Sequence, residues 1–308
     1  MTGFGSWPED FRSGFACFVG RPNAGKSTLT NALIGAKIAI TSSRPQTTRH
    51  AIRGIVHRPD AQLVVVDTPG LHKPRTLLGS RLNDVVRETW AEVDVIGFCV
   101  PADQPVGRGD EFIVNELRSV AGRTPVLGIV TKTDKARPEQ IAERLTQLSE
   151  LMEFADIVPC SARSGDQVGL LADLLVAQLP EGPPLYPDGE LTDEPEETLV
   201  AELVREAALE GVRDELPHSI AVTVEEMIER EDRGDRGDML DVHATIFVER
   251  DSQKGIVIGR GGERLRQVGT DARRQIEALL GVKVYLDLHV TVAKDWQRDP
   301  RQLRKLGF

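Results

Sequence analysis

Cysteine is scarce in this 308-residue chain: Cys17, Cys99 and Cys160 are all there is, and they lie far apart. That number and spacing exclude a zinc set and a disulfide framework. Each cysteine sits in or at the end of an apolar, strand-like run. Buried reduced thiols are therefore expected, as in a cytosolic protein. No apolar run of about 18 residues is present, and no signal-peptide pattern. A soluble, cytoplasmic protein is expected. Internal repeats are also lacking. One stretch, Glu181 to Glu197, has no Lys or Arg, seven acidic residues, and Pro183, Pro184, Pro187 and Pro195. It is poorly suited to a core and reads as a linker over 181–197, leading into a helix from about Glu196 to Asp214. A second polar run, Glu229 to Asp238, reads as a loop between strands.

What is present is a set of loops that follow apolar strands. The first is Gly20-Arg21-Pro22-Asn23-Ala24-Gly25-Lys26-Ser27, which fits G-x-x-x-x-G-K-[ST]. It follows the run Phe15 to Val19 and precedes a predicted helix, Thr28 to Ile34. Strand, glycine loop and helix together make a phosphate site. Glycines let backbone N–H groups close around phosphate oxygens, and the helix start adds unpaired donors. Lys26 can reach the β and γ phosphates, and the Ser27 hydroxyl can bind Mg²⁺.

The second loop is Asp67-Thr68-Pro69-Gly70, at the end of the run Leu63 to Val66. A carboxylate there is badly placed for packing but well placed to hold Mg²⁺ opposite the phosphate loop. Gly70 leaves a backbone N–H for a γ-phosphate. Alone, D-x-x-G is an ordinary turn. The third loop, Thr131-Lys132-Thr133-Asp134, follows Val126 to Val130. Its carboxylate can accept from the N1–H and N2–H₂ edge of guanine, a donor pair that adenine lacks. A wrong base would leave it unpaired. Lys132 can lay its stem along the base. The fourth, Ser161-Ala162-Arg163, follows Ile157 to Cys160 and offers backbone donors to the guanine O6.

In this order the four loops resemble the translation-factor-like GTPases, and further residues resemble the Era family. Pro45-Gln46-Thr47-Thr48-Arg49-His50 is similar to its switch I, with Thr48 at the Mg²⁺-sensing position. The family's guanine motif usually reads Asn-Lys-x-Asp, and here Thr131 replaces the Asn. That change weakens the carboxamide contacts that normally brace the loop. After Gly70 stands Leu71, where Ras-like GTPases carry a water-orienting Gln. A leucine can neither donate nor accept. The resemblance places Era among GTPases with a hydrophobic residue there. It also implies Asn23 as a K⁺ ligand.

Three carboxyl-half stretches alternate with period two: Ile220 to Val224, Leu240 to Val248 and Val284 to Val292. Alternation argues half-buried strands. Between the last two lies Gly259-Arg260-Gly261-Gly262. A helical pattern follows, with Leu265, Val268, Ala272, Ile276 and Leu279 on one face and Arg264, Arg266, Arg273 and Arg274 on another. This resembles the GxxG loop of a type II KH domain, in the order α-β-β-α-α-β. That loop clamps about four nucleotides in families that use it. The segment Asp295-Trp296-Gln297-Arg298 through Gly307 is similar to the Era carboxyl end. The resemblance thus runs from Gly14 to Phe308. The resemblance does not extend to residues 1–13.

Charge agrees with this division. The chain carries −10 overall, but residues 250–308 hold 13 Lys and Arg against 7 Asp and Glu. That is +6, which leaves −16 for the remainder. A basic module on an acidic chain is an electrostatic footprint for nucleic acid. Length suits two domains.

The expected fold is an α/β P-loop GTPase domain, with a mostly parallel sheet and helices on both faces, followed by an α+β type II KH domain. The expected boundaries are an extension over 1–13, the GTPase domain over 14–180, the linker over 181–197 and the KH domain over 198–308. The GTP site is expected to use residues 20–28 (Thr28 included), Asp67, Thr68, Pro69, Gly70, Leu71, Thr131, Lys132, Asp134, Ser161 and Ala162. Ser27, Thr48 and Asp67 are the Mg²⁺ set. Lys26, Thr48, Gly70 and Asn23 are the catalytic set. RNA would meet Gly259, Arg260, Gly261, Gly262, Arg264 and Arg266. The resemblance implies a GTP-hydrolysing switch with slow intrinsic turnover. It implies binding to small-subunit ribosomal RNA and assistance in small ribosomal subunit assembly. It allows peripheral association with a membrane, and a monomer is expected. Two alternatives are a GTP-regulated membrane signalling protein with no RNA role and an ATPase with an RNA domain. Asp134 argues against the second, and the single phosphate-loop set disfavours relatives with tandem GTPase domains.

Overall fold

A computed structural model describes residues 7–41, 48–71, 74–120, 122–210, 212, 219–230 and 239–308. The chain divides into two compact units. One comprises Met1–Ala39, Thr48–Lys73 and Leu82–Asp193, and the other Ile40–Thr47, Pro74–Arg81 and Glu194–Phe308.

The first unit is built on six strands: β1 (Arg12–Val19), β2 (Ile52–His57), β3 (Ala61–Asp67), β4 (Val95–Pro101), β5 (Val126–Thr131) and β6 (Asp156–Pro159). Their order in the sheet is β2-β3-β1-β4-β5-β6. All neighbours are parallel except β2 and β3. Every residue of β3, β4 and β5 is buried, as expected of parallel strands covered on both faces. The covering helices are α1 (Lys26–Ile34), α2 (Leu77–Glu92), α3 (Arg108–Val120), α4 (Pro138–Leu151) and α5 (Val168–Ala177). One face of the sheet buries Phe18, Leu63, Leu127 and Leu175, and the other buries Cys17, Trp90, Phe98 and Val130. All three cysteines are buried and unbridged.

In an open sheet of this kind, ligands gather outside the carboxyl ends of the strands where the order reverses. Here β1 is that reversal point, since its neighbours are β3 and β4. The loops after β1, β3, β5 and β6 all leave from that end.

The acidic stretch expected as a linker is tied down over much of its length. Gln62 accepts from the backbone N–H groups of Leu185 and Tyr186 and donates to the Tyr186 carbonyl. Ile55 donates to Leu191, Thr192 to Arg53, and Arg53 pairs with Asp193. Residues through Asp193 thus cover β2, an edge strand whose unpaired backbone groups need partners. Composition marks the absence of a core side chain, but it does not mark backbone pairing.

The second unit runs α6 (Glu196–Leu209), β7 (Ala221–Arg230), β8 (Met239–Val248), α7 (Asp251–Ile258), α8 (Glu263–Leu280), β9 (Lys283–Val292) and α9 (Pro300–Lys305). The sheet order is β7-β8-β9, antiparallel then parallel. Val242, Ile246, Val284 and Val290 face a core shared with Leu203 and Val204 of α6 and with Val268, Ala272 and Ile276 of α8. The order α-β-β-α-α-β is the expected one. Trp296 is fully buried, donates to the Ser219 carbonyl at 3.0 Å and stacks on Phe308 at 5.6 Å.

Two expectations are corrected. Glu229 and Arg230 belong to β7 rather than to a loop, because Arg230 pairs across the sheet with Asp241 and lies 5.8 Å above the Tyr285 ring. The rest of that polar run, 231–238, lies outside the described residues. α6 ends at Leu209, short of the expected Asp214, which also lies outside them.

Candidate functional site

Backbone geometry shapes the phosphate loop first. Gly20 has φ 154°, and a Cβ there would sit 2.5 Å from the Cys99 carbonyl oxygen of β4. No other residue fits without moving a strand. Asn23 adopts a left-handed φ of 62°, and Gly25 precedes α1 with φ 92°. The loop therefore turns its backbone inward and delivers Lys26 at the first position of α1.

Lys26 is buried, and its ammonium donates to the carbonyls of Gly20 and Arg21, each at 3.2 Å. Burial pulls its pKa below the ordinary lysine range, while the nearby Asp67 carboxylate opposes that shift. A cation held inside its own loop is ready for phosphate oxygens. Gly70 lies beside it, and a Cβ at Gly70 would be 3.6 Å from the ammonium. Thr68 is buried with Asp67, and Pro69 carries the chain between them and Gly70.

Ser27, Thr48 and Asp67 converge. Ser27 Oγ and Thr48 Oγ1 are 3.1 Å apart, and Thr48 Oγ1 donates to Asp67 Oδ2 at 3.0 Å. Adjacent ligands of an octahedral ion with bonds near 2.1 Å are about 3 Å apart, so this oxygen set fits Mg²⁺. Of the expected switch segment, Pro45, Gln46 and Thr47 lie outside the described residues.

The pocket expected to take the base has a volume of ≈ 260 Å³. Its lining includes Gly25, Thr28, Thr131, Lys132, Asp134 and Ala162. Two ties join it to the phosphate loop: Thr131 Oγ1 donates to the Ala24 carbonyl at 2.6 Å, and Lys132 Nζ to the Asn23 carbonyl at 2.5 Å. Burial also lowers the Lys132 pKa. Ser161 Oγ donates to Asp134 Oδ1 at 2.7 Å. Leu29, Lys135, Cys160 and Arg163 complete the lining and lie outside the expected site set. Lys135 adjoins one motif and Arg163 ends another, but nothing in the sequence alone says that they line this pocket.

Two expected nucleotide residues point elsewhere. Arg21 pairs with Asp110, a fully buried carboxylate, at 2.9 Å and donates to the Pro105 carbonyl. Its side chain anchors the loop to α3. Leu71 is buried among Val86, Trp90 and Val100, so its side chain is core.

In the second unit the GxxG loop joins α7 to α8. Gly259, Gly261 and Gly262 all have positive φ, and a Cβ at Gly259 would lie 2.6 Å from Arg264 Cβ. A groove of ≈ 350 Å³ opens beside it, lined by Gly262, Leu265, Arg266, Arg273, Tyr285 and Leu288 among others. Arg260 is exposed on the loop. Arg264 does not face the groove. Its guanidinium donates to the carbonyls of Ala208 and Glu210, closing the end of α6. Arg264 and Arg266 are two residues apart, a rotation of about 200° around a helix, so they leave α8 on nearly opposite sides. Tyr285 and Leu288 come from β9 and could be placed there only by the parallel pairing of β9 with β8.

This fold and these loops define the class: a P-loop GTPase domain followed by a KH domain. Residues 15–132 match the family described as 50S ribosome-binding GTPase, and residues 215–297 match the KH domain. The chain is 67% identical over 300 residues to GTPase Era of Mycolicibacterium smegmatis, covering 97% of this chain and 99% of that one. It is 67% identical over 302 residues to GTPase Era of Streptomyces coelicolor, covering 96% and 95%. Two solved structures are similar, each covering 96% of this chain and 99% of the other. They are an Aquifex aeolicus Era variant bound to GDP and AlF4⁻, with TM-score 0.90 and 35% identity, and an Era in complex with MgGDPNP and nucleotides 1506–1542 of 16S ribosomal RNA, with TM-score 0.87 and 36% identity. The chain belongs to the Era family of GTPases. Among the described residues no helix is long and apolar enough to cross a membrane.

Proposed function

We propose that the chain is a GTP-driven switch that binds small-subunit ribosomal RNA through its KH unit and assists assembly of the small ribosomal subunit. One observation carries the reading: a single chain joins a guanine-type pocket and phosphate loop to a GxxG groove lined by Arg266 and Arg273. The Era complex with MgGDPNP and a 16S ribosomal RNA segment supports it.

GTP would lie along residues 20–28, with the base against Asp134 and the γ-phosphate near Lys26 and Gly70. Ser27, Thr48 and Asp67 would hold Mg²⁺, which supplies positive charge to the phosphate oxygens. Lys26 would neutralise charge developing on the β–γ bridge, the chief need of phosphoryl transfer. Asn23 is proposed as a K⁺ ligand beside the phosphates. Thr48 and the Asp67 loop would reorder with the γ-phosphate. Gly259 to Gly262, with Arg260 and Arg266, would clamp the RNA backbone. A GTPase domain over 14–180, a KH domain over 198–308, a monomer in the cytoplasm and reversible contact with a membrane surface complete the proposal.

The test is ultraviolet crosslinking in cells, followed by sequencing of the bound RNA. Enrichment near the 3′ end of small-subunit ribosomal RNA, lost on Arg260→Asp, is expected. A profile without ribosomal RNA would overturn the RNA role and leave a GTPase without it.

A further inference from the structure

The Thr131 hydroxyl has a single proton, and that proton is committed. Thr131 closes β5 and is 4% exposed, and its Oγ1 donates to the Ala24 carbonyl at 2.6 Å. A hydroxyl offers one donor, while a carboxamide offers two. An Asn in this place could hold the phosphate loop with one N–H and still present the other to a base. Thr131 cannot.

Guanine shows two acceptors on its major-groove edge, N7 and O6. Asp134, an acceptor, suits the opposite N1–H and N2–H₂ edge, and the backbone at Ala162 suits O6. With the base so oriented, its N7 side turns toward the phosphate loop, where Thr131 stands. The Lys132 ammonium is placed on the phosphate loop, donating to the Asn23 carbonyl at 2.5 Å.

Resting on the reading of this pocket as a guanine site, we infer that Thr131 makes recognition blind to N7. The protein selects guanine by the N1–H/N2–H₂ edge and O6. It accepts guanine nucleotides that lack the N7 acceptor as readily as ordinary ones. Thr131 acts as a positioning residue: it secures the phosphate loop without reading the base.

The probe is 7-deaza-GDP, in which a C–H replaces N7. Its dissociation constant from the full-length chain is compared with that of GDP, with Mg²⁺ present. The wild type should bind the two within about twofold. Thr131→Asn should bind 7-deaza-GDP about fivefold more weakly than GDP, the size of one net hydrogen bond. Thr131→Ser, which keeps the hydroxyl, should retain the wild-type ratio. Thr131→Ala should weaken both nucleotides equally. A fivefold wild-type penalty on 7-deaza-GDP would overturn the inference and point to a donor from Lys135 or Arg163. So would a folded Thr131→Asn that binds GDP and 7-deaza-GDP alike. Failure of the wild type to bind GDP at all would instead overturn the reading of the pocket.

Discussion

Ser161 Oγ donates to Asp134 Oδ1 at 2.7 Å, joining the loop after β6 to the loop after β5. The bond orients a carboxylate that would otherwise rotate, and it leaves Oδ2 and a second lone pair on Oδ1 for the two donors of the proposed guanine. Asp134→Asn should weaken GTP by about 100-fold, the loss of one to two charge-assisted hydrogen bonds. It should favour XTP, whose carbonyl replaces the exocyclic amine and suits an amide donor. Ser161→Ala should weaken GTP by about fivefold while keeping the preference for GTP over XTP. Competition binding with the two triphosphates checks both, and an Asp134→Asn variant that still prefers GTP would show that Asp134 does not read the base.

The Lys26 ammonium is held inside the phosphate loop by the carbonyls of Gly20 and Arg21. Lys26→Ala should lower the hydrolysis rate by about 100-fold or more, as expected for a lost charge stabiliser. Single-turnover hydrolysis, with circular dichroism to verify folding, measures this. Wild-type turnover in the folded variant would contradict the assignment.

Leu71 is buried in the core, so its side chain cannot order the attacking water. Intrinsic hydrolysis should be slow, and it should be faster in KCl than in NaCl at equal ionic strength if Asn23 helps to bind K⁺. Asn23→Ala should abolish the difference between the salts. Equal rates in both salts for the wild type would remove K⁺ from the mechanism.

Arg264 and Arg266 are two residues apart but do different work. Arg264→Ala should cost about 1 kcal/mol of stability through the lost bonds to the end of α6, with RNA affinity unchanged in the folded protein. Arg266→Ala should weaken RNA and reduce the salt slope by about one ion, with stability unchanged. The double change Gly261→Asp and Arg260→Asp should abolish RNA binding and spare GTP binding, since these positions lie in the other unit. Titrations of RNA and GTP at several salt concentrations separate the outcomes. Equal RNA loss from Arg264→Ala and Arg266→Ala would mean that the groove is not the RNA surface.

Burial pushes the Cys160 thiol up to about 12, and it raises Cys17 and Cys99 as well. At neutral pH all three are protonated and poorly nucleophilic. The native protein should resist iodoacetamide at pH 8 and take up three labels only after denaturation, as read by mass spectrometry. Rapid native labelling of Cys160 would show that the base pocket opens to solvent.

The sequence alone determined the class of fold and the order of the loops. Apolar runs ending in Gly20, Asp67 and Thr131 announce parallel strands with polar groups at their carboxyl ends, because buried strands must be apolar and chemistry must sit where they stop. It also determined the carboxyl unit, since period-two strands and a glycine-rich helix start are local signals. Tertiary structure alone decided which neighbours of a motif face the ligand. Arg21 lies inside the phosphate loop yet serves Asp110, and Arg264 follows the GxxG loop yet closes α6. Tyr285 enters the groove only through pairing of β9 with β8. The acidic stretch to Asp193 covers β2 because an edge strand needs backbone partners, a demand that composition does not record. Motif spacing states which groups can meet. Side-chain direction, register and the partner that takes the one Thr131 proton depend on atoms brought together from far apart in the chain.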